Sequence, residues 1–292
     1  MRGRFDGTVV VVTGAASGLG RASARRLSAE GARIVLVDVD EDGAQAVAES
    51  LEEESLVVRA DVASEQDVAE YMRRAVARFG RVDHHHLNAG VFGSFVPLPD
   101  LTAAEFEQVM AVNVSGQFLG MRAAFRQFSA QRRAGAIVLT ASIASLTGSA
   151  DLLAYHVSKH AVAGLVHGGA VYGGPLGIRV NAVAPGIVPT ELFASAAQTL
   201  GGKDDMTARA TTTPLRRAGT PDEIAAVAAF LLSDDAAYVT GHIVSADGGA
   251  TIVNTVRPSG GAGAWDTRAV DEPLYRGSGN WPREEEGRGA SS

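Results

Sequence analysis

Seven short apolar runs recur along the chain, and every spacer between them is long enough to hold a helix. The runs are TVVVVT (8–13), RIVLVD (33–38), LVVRAD (56–61), VDHHHL (82–87), AIVLTA (136–141), IRVNAVAP (178–185) and HIVSA (242–246). Most are rich in Val and Ile and end at Gly, Asp or Pro, as strands buried on both faces do. Helical patterns fill the spacers at about 18–30, 41–51, 64–79, 102–130, 152–173 and 221–232. Thr220, Pro221 and Glu223 supply an N-cap, a first-turn proline and an N3 acid, the signature of a capping box. Strand–helix alternation of this kind predicts a parallel sheet with helices on both faces.

The bulk numbers narrow the function. At 292 residues the chain suits one large α/β domain or two small ones. Its net charge of -7 argues against a nucleic-acid partner or an anionic membrane, both of which call for a basic surface. It has no cysteine, which excludes disulfides, thiolate catalysis and cysteine-ligated zinc. No run approaches the length of a membrane span, and the N-terminal apolar stretch is too short for a signal peptide. A soluble, cytoplasmic protein is the expectation.

The first strand runs into TGAASGLG (13–20), in which Gly14, Gly18 and Gly20 punctuate a turn containing Ser17 and Leu19. Such a turn brings backbone close to a pyrophosphate, and the next helix aims N–H groups at it. Asp38 ends the second strand, 18 residues past Gly20. A carboxylate there accepts from both ribose hydroxyls of an adenosine and repels a 2′-phosphate. Neither Ser17 nor Val39 is basic, so NAD is favoured over NADP. Asp61, at the end of the third strand, is either an adenine contact or a turn acid. Asn88-Ala89-Gly90 closes the fourth strand at the edge where open α/β sheets bind ligands.

Tyr155 and Lys159 are four residues apart, on one face of a helix. A fixed positive charge favours a phenolate, so the pair reads as a tuned acid-base or as a chance spacing. Two other features are weighed as metal sites. His84 and His86 alternate to one face of a strand and His85 to the other, and His156 and His160 lie four apart. Neither set has a Cys or acid at ligand spacing, so packed neutral histidines and no metal are expected.

Taken in order, TGAASGLG (13–20), Asp61-Val62, NAG (88–90), Asn113, Ser142, YHVSK (155–159), PG (185–186) and DGG (247–249) resemble the short-chain dehydrogenase/reductase family over about residues 5–253. The resemblance implies a single Rossmann-type doubly wound domain with seven parallel strands. It also implies an NAD(P)(H)-dependent oxidoreductase, usually a homodimer or homotetramer. By that likeness Tyr155 is the general acid-base, Lys159 lowers its pKa and holds the nicotinamide ribose, and Ser142 binds the substrate oxygen. Asn113 anchors a water leading from Lys159 to solvent. Pro185, Gly186, Ile187, Val188 and Thr190 line the nicotinamide, with Thr190 on its carboxamide. Leu87 stands where many members carry a further Asn. Gly168, Gly169, Gly173 and Gly174 suit a helix that packs between subunits.

The same likeness builds a substrate pocket from Phe92, Phe95, Leu152, Leu153, Leu192 and Phe193, with a lid loop at about 187–213. No Arg or Lys cluster is foreseen there. The expected substrate is therefore a small, largely apolar, uncharged secondary alcohol or ketone, cyclic forms included. A cofactor-neutral epimerase or dehydratase, and a non-catalytic NAD-binding regulator, are the alternatives. The domain is expected over 1–256. Residues 257–292, rich in Gly, Pro, Arg and Glu, form either a disordered tail or an arm whose Trp265, Tyr275 and Trp281 dock on the same or a neighbouring subunit.

Overall fold

A computed structural model of the chain describes residues 3–149, 152–194, 206–253, 262–264 and 266–275. Among them seven parallel strands form one sheet in the order β3-β2-β1-β4-β5-β6-β7. The strands are β1 (Val9–Thr13), β2 (Arg33–Asp38), β3 (Ser55–Arg59), β4 (His84–Leu87), β5 (Gly135–Thr140), β6 (Ile178–Pro185) and β7 (Ile243–Ala246). Each lies within one or two residues of the predicted run.

Strand alternation explains why the runs are apolar throughout. Val9, Val11, Val35 and Val37 point to one buried face, and Val10, Val12, Ile34 and Leu36 to the other. On the first face pack α3 (Glu65–Phe79), α5 (Gln117–Gln131) and α6 (Leu153–Gly173), through residues such as Tyr71, Phe128 and Val162. On the second pack α1 (Gly18–Ala29), α2 (Glu41–Ala48) and α8 (Pro221–Leu232), through Leu27, Val47 and Leu231. With both faces covered, a polar alternation in the strands would bury unpaired groups.

Local signals set the helix starts. Asp40 accepts from Gly43 N–H, Ser64 from Asp67 N–H, and Thr220 forms the expected box with Glu223. The predicted single helix over 102–130 is divided. It runs as α4 (Ala103–Met110), a π-helical turn over Ala111–Gly116, and then α5. The turn carries Asn113, and such insertions recur at functional sites.

The chain beyond β7 is not wholly irregular. A helix, α9 (Arg268–Tyr275), follows it, and Asp271 is buried with both carboxylate oxygens accepting from Arg216 Nη2 at 3.0 Å. Gly263 N–H also donates to the Thr212 carbonyl at 2.8 Å. The arm therefore docks beside α7 (Met206–Thr211), which no periodicity had marked. Trp265 and Trp281 lie outside the described residues. No described helix is long and apolar enough to cross a membrane.

Candidate active site

The strand order reverses between β1 and β4, where the connections leave in opposite directions and open a crevice at the carboxyl edge of the sheet. A cleft of about 1000 Å³ occupies that edge, at the large end of the range for small-molecule sites. Gly14, Ser17, Gly18, Leu19, Asp38, Asp61, Val62, Asn88, Ala89 and Gly90 line one end. Pro185, Gly186, Ile187, Val188 and Thr190 line its middle.

The glycine turn is shaped for an anion. Gly14 and Gly18 have φ of 66° and 49°, a region that favours glycine. Gly20 lies beneath the cleft rather than on it: a Cβ there would sit 1.9 Å from the Gly14 carbonyl oxygen. Its bareness lets helix and strand touch. At the first turn of α1 an anion is already bound, because the Glu191 carboxylate accepts from Gly18 N–H at 3.1 Å and pairs with Arg21. The groups present thus fit the pyrophosphate of a dinucleotide. Asp38 is held in place by Ala16 N–H on one oxygen, at 2.9 Å, and Asp40 N–H on the other, at 3.0 Å. A carboxylate retains further lone pairs for ribose hydroxyls. Asp61 Oδ1 accepts from Ala63 N–H at 2.9 Å, so it is a turn acid that also faces the cleft.

Around Tyr155 the structure brings the distant motifs together. Ser142, two residues past β5, lines the cleft with Tyr155 and acts to lower the pKa of its phenol. Lys159 Nζ lies 5.5 Å from the centre of the phenol ring. It donates to the Thr140 carbonyl at 2.8 Å, and Gln117 Nε2 donates to the same oxygen at 3.3 Å. Asn113 is fully buried behind the cleft. Its amide accepts from Val91 N–H at 2.8 Å and donates to the Val91 carbonyl at 2.9 Å and to Ser158 Oγ at 3.0 Å. The side chain thus clamps the strap after β4.

The electrostatics differ from the simple picture of a lysine acidifying a phenol. Burial pushes Tyr155 up to about 12, with the Ser142 hydrogen bond acting the other way. Burial also pulls Lys159 down to about 8. Desolvation penalises both charged forms, so the phenol stays neutral and the amine is the group that loses its proton first.

The substrate end is aromatic. Phe92 stacks at a tilt on Tyr155 with centroids 4.8 Å apart, and Phe95 and Phe193 stand 6.3 and 6.0 Å from Phe92. Leu152 and Leu192 line the same end, whereas Leu153 begins α6 outside the cleft, 37% exposed. The start of a helix turns successive side chains about 100° apart, which separates these neighbours. The centre of the predicted lid loop falls outside the described residues. Glu191, His156 and Arg209 also line the cleft. His156 belongs to the YHVSK motif, whereas no sequence motif marks Glu191 or Arg209, which reach the cleft through tertiary packing.

The histidine strand is packed. His85 Nε2 meets the Tyr71 hydroxyl at 2.9 Å, His86 Nε2 meets Thr140 Oγ1 at 3.0 Å, and His84 lies edge-on to Phe5. Burial pushes the three down to about 4, 3 and 4 in sequence order, so all are neutral at pH 7. His156 Nδ1 is engaged by the Thr147 carbonyl, and His160 Nδ1 by that of His156. Among the described residues no three His, Asp or Glu side chains are placed to hold a metal.

A family model described as Enoyl-(Acyl carrier protein) reductase matches residues 14–251. Levodione reductase of Leifsonia aquatica is 41% identical over 254 residues, covering 84% of this chain and 95% of that protein. Cis-4-hydroxycyclohexanecarboxylate dehydrogenase of Sinomonas cyclohexanicum is 42% identical over 252 residues, covering 85% and 98%. The crystal structure of levodione reductase superposes with a TM-score of 0.82 at 39% identity, covering 86% of this chain and all of that one.

Proposed function

This chain belongs to the short-chain dehydrogenase/reductase family and is an oxidoreductase acting on CH–OH groups, and from that premise we propose that it interconverts a cyclic secondary alcohol and its ketone using NAD(H). The observation that carries the reading is the meeting of Ser142, Tyr155 and Lys159 beside an aromatic wall, at the crevice where the strand order reverses.

In the oxidation direction the substrate hydroxyl sits between Ser142 and Tyr155. The Tyr155–Lys159 pair, having lost one proton, accepts the hydroxyl proton as the carbinol carbon gives up hydride. A bound nicotinamide, held by Lys159 and the Pro185–Thr190 segment, would supply the hydride acceptor. In reduction Tyr155 returns the proton to the developing alkoxide while the Ser142 hydroxyl stabilises it. Lys159 is also placed to hold a ribose. Asn113 keeps the strap over Val91 from shifting, and Thr190 abuts Gly18, its side chain 3.4 Å from where a Cβ would lie.

Asp38 supports NAD over NADP, because its charge meets the ribose edge and no basic residue follows it. The aromatic wall and the relative named a cis-4-hydroxycyclohexanecarboxylate dehydrogenase support a cyclic substrate. The catalytic unit spans 1–256, and part of 257–292 serves as a docked arm. Phe118, Val171 and Tyr172 on the outer faces of α5 and α6 are exposed, which supports a homodimer or homotetramer. Nothing in the charge or helix pattern calls for nucleic acid or membrane, and a cytoplasmic location fits the absence of cysteine.

The test is NADH formation or consumption over a panel of cyclic alcohols and ketones, with NADP(H) alongside and Tyr155→Phe as control. Turnover that collapses in the control supports the reading. Turnover without net cofactor consumption would instead mark an epimerase or dehydratase.

A further inference from the structure

Charge is divided along the cleft. Asp38, Asp40, Asp61 and Glu191 gather at the dinucleotide end, and Glu191 is committed to Gly18 and Arg21. Lys159 is committed to the Thr140 carbonyl. The remaining charged group on the lining is Arg209, carried by α7. Its guanidinium lies 5.9 Å from the centre of the Phe193 ring, and among the described residues it meets no carboxylate. Phe193 is edge-on to Phe92, and Phe92 stacks on Tyr155. An aromatic wall therefore leads from the reacting phenol to a cation that meets no carboxylate among the described residues.

That arrangement has a chemical complement. A carbon ring lying on the wall presents its carbinol carbon to Tyr155 and Ser142, and its far substituent to Arg209. A planar guanidinium binds a carboxylate through two parallel N–H···O bonds. Arg209 is exposed, so it would meet that carboxylate at the rim of the cleft, with the Phe193 ring beside it. We propose that Arg209 anchors a carboxylate on the substrate, so that the preferred substrates are cyclic secondary alcohols or ketones bearing a carboxylate away from the reacting carbon. This rests on the alcohol–ketone reading of the site and replaces the uncharged substrate expected from the sequence with a ring acid.

Two measurements test it. The first is kcat/KM for 4-oxocyclohexanecarboxylate and for its uncharged methyl ester, in the wild type and in Arg209→Gln. The acid is expected to be preferred, and the acid-to-ester ratio to fall by about tenfold or more in the variant, carried by KM. The second is calorimetric binding of cyclohexanecarboxylate and of cyclohexanol to the protein–NADH complex, which needs no turnover. The acid is expected to weaken in Arg209→Gln by a similar factor and the alcohol to change less. An unchanged acid-to-ester ratio, or equal binding losses for acid and alcohol, overturns the proposal. So does a loss of NADH affinity in its place, which would assign Arg209 to the cofactor phosphates. Carboxylate binding that depends on Arg209 in a protein that turns over neither ketone would uphold the anchor while refuting the dehydrogenase reading.

Discussion

Lys159 Nζ stands 5.5 Å from the centre of the Tyr155 ring and hands its own hydrogen bond to the Thr140 carbonyl. The amine and the phenol are thus neighbours, and burial shifts each away from its charged form. The first proton leaves at the lower of the two values, about 8 for Lys159 against about 12 for Tyr155. The deprotonated pair is the form able to accept a proton from an alcohol. Oxidation should therefore rise through about pH 8, and ketone reduction should fall through the same range. In Lys159→Arg the cation no longer releases a proton, so both midpoints should move upward. Initial-rate profiles in the two directions check this, and identical midpoints in wild type and variant would count against Lys159 as the titrating group.

Removing the phenol hydroxyl tests the chemistry itself. Tyr155→Phe should lower kcat by about 10²–10⁴-fold, the usual worth of a positioned acid-base. NADH binding, followed by fluorescence, should survive. A variant that keeps kcat would move the proton transfer to another group.

Asp38 should govern the choice of cofactor. Asp38→Asn removes the charge facing a ribose and leaves one oxygen, which accepts from Ala16 N–H or from Asp40 N–H but not from both. The preference of kcat/KM for NAD over NADP should shrink by about tenfold or more, since like-charge repulsion near a surface is worth a few kcal/mol. Steady-state kinetics with both cofactors decides it.

Glu191 occupies the anion position at the start of α1, where it accepts from Gly18 N–H. A pyrophosphate arriving there competes with it for the same donor. Glu191→Gln weakens that competitor and should tighten NADH binding several-fold, about the effect of a charge near a helix terminus. A fluorescence titration that shows weaker binding instead would mean Glu191 helps hold the turn in shape.

The buried histidines tie stability to pH. Their folded values, about 3 to 4, lie below the ordinary 6.5. The unfolded chain therefore takes up protons first as pH falls. Stability is fully present above about 6.5 and is lost down to about pH 4, at roughly 1.4 kcal/mol per pH unit for each histidine. Urea midpoints should drop between pH 7 and pH 5. His84→Leu, which replaces a ring packed on Phe5, should flatten the slope.

Much of this protein was written locally. A strand buried on both faces must be apolar at every position, and a helix start must satisfy its orphan N–H groups. Runs such as 8–13 and caps such as Thr220 were therefore readable from neighbours in sequence. The spacing of glycines 14, 18 and 20, and of Tyr155 and Lys159, was readable for the same reason, because strand–turn–helix and one helical turn have known dimensions. Long-range packing decided the rest. It broke the helix at Ala111–Gly116 so that Asn113 clamps Val91, and turned Leu153 away while Leu152 stayed. It pressed Glu191 onto Gly18, drew Asp271 onto Arg216, and brought Arg209 to the cleft. Those partners lie tens to over a hundred residues apart, and no local periodicity encodes a contact at that distance. Burial, likewise a property of the assembled core, pushed the Tyr155 phenol up and the Lys159 amine down. Spacing alone determined that the two would meet, and the surrounding structure determined how they hold a proton.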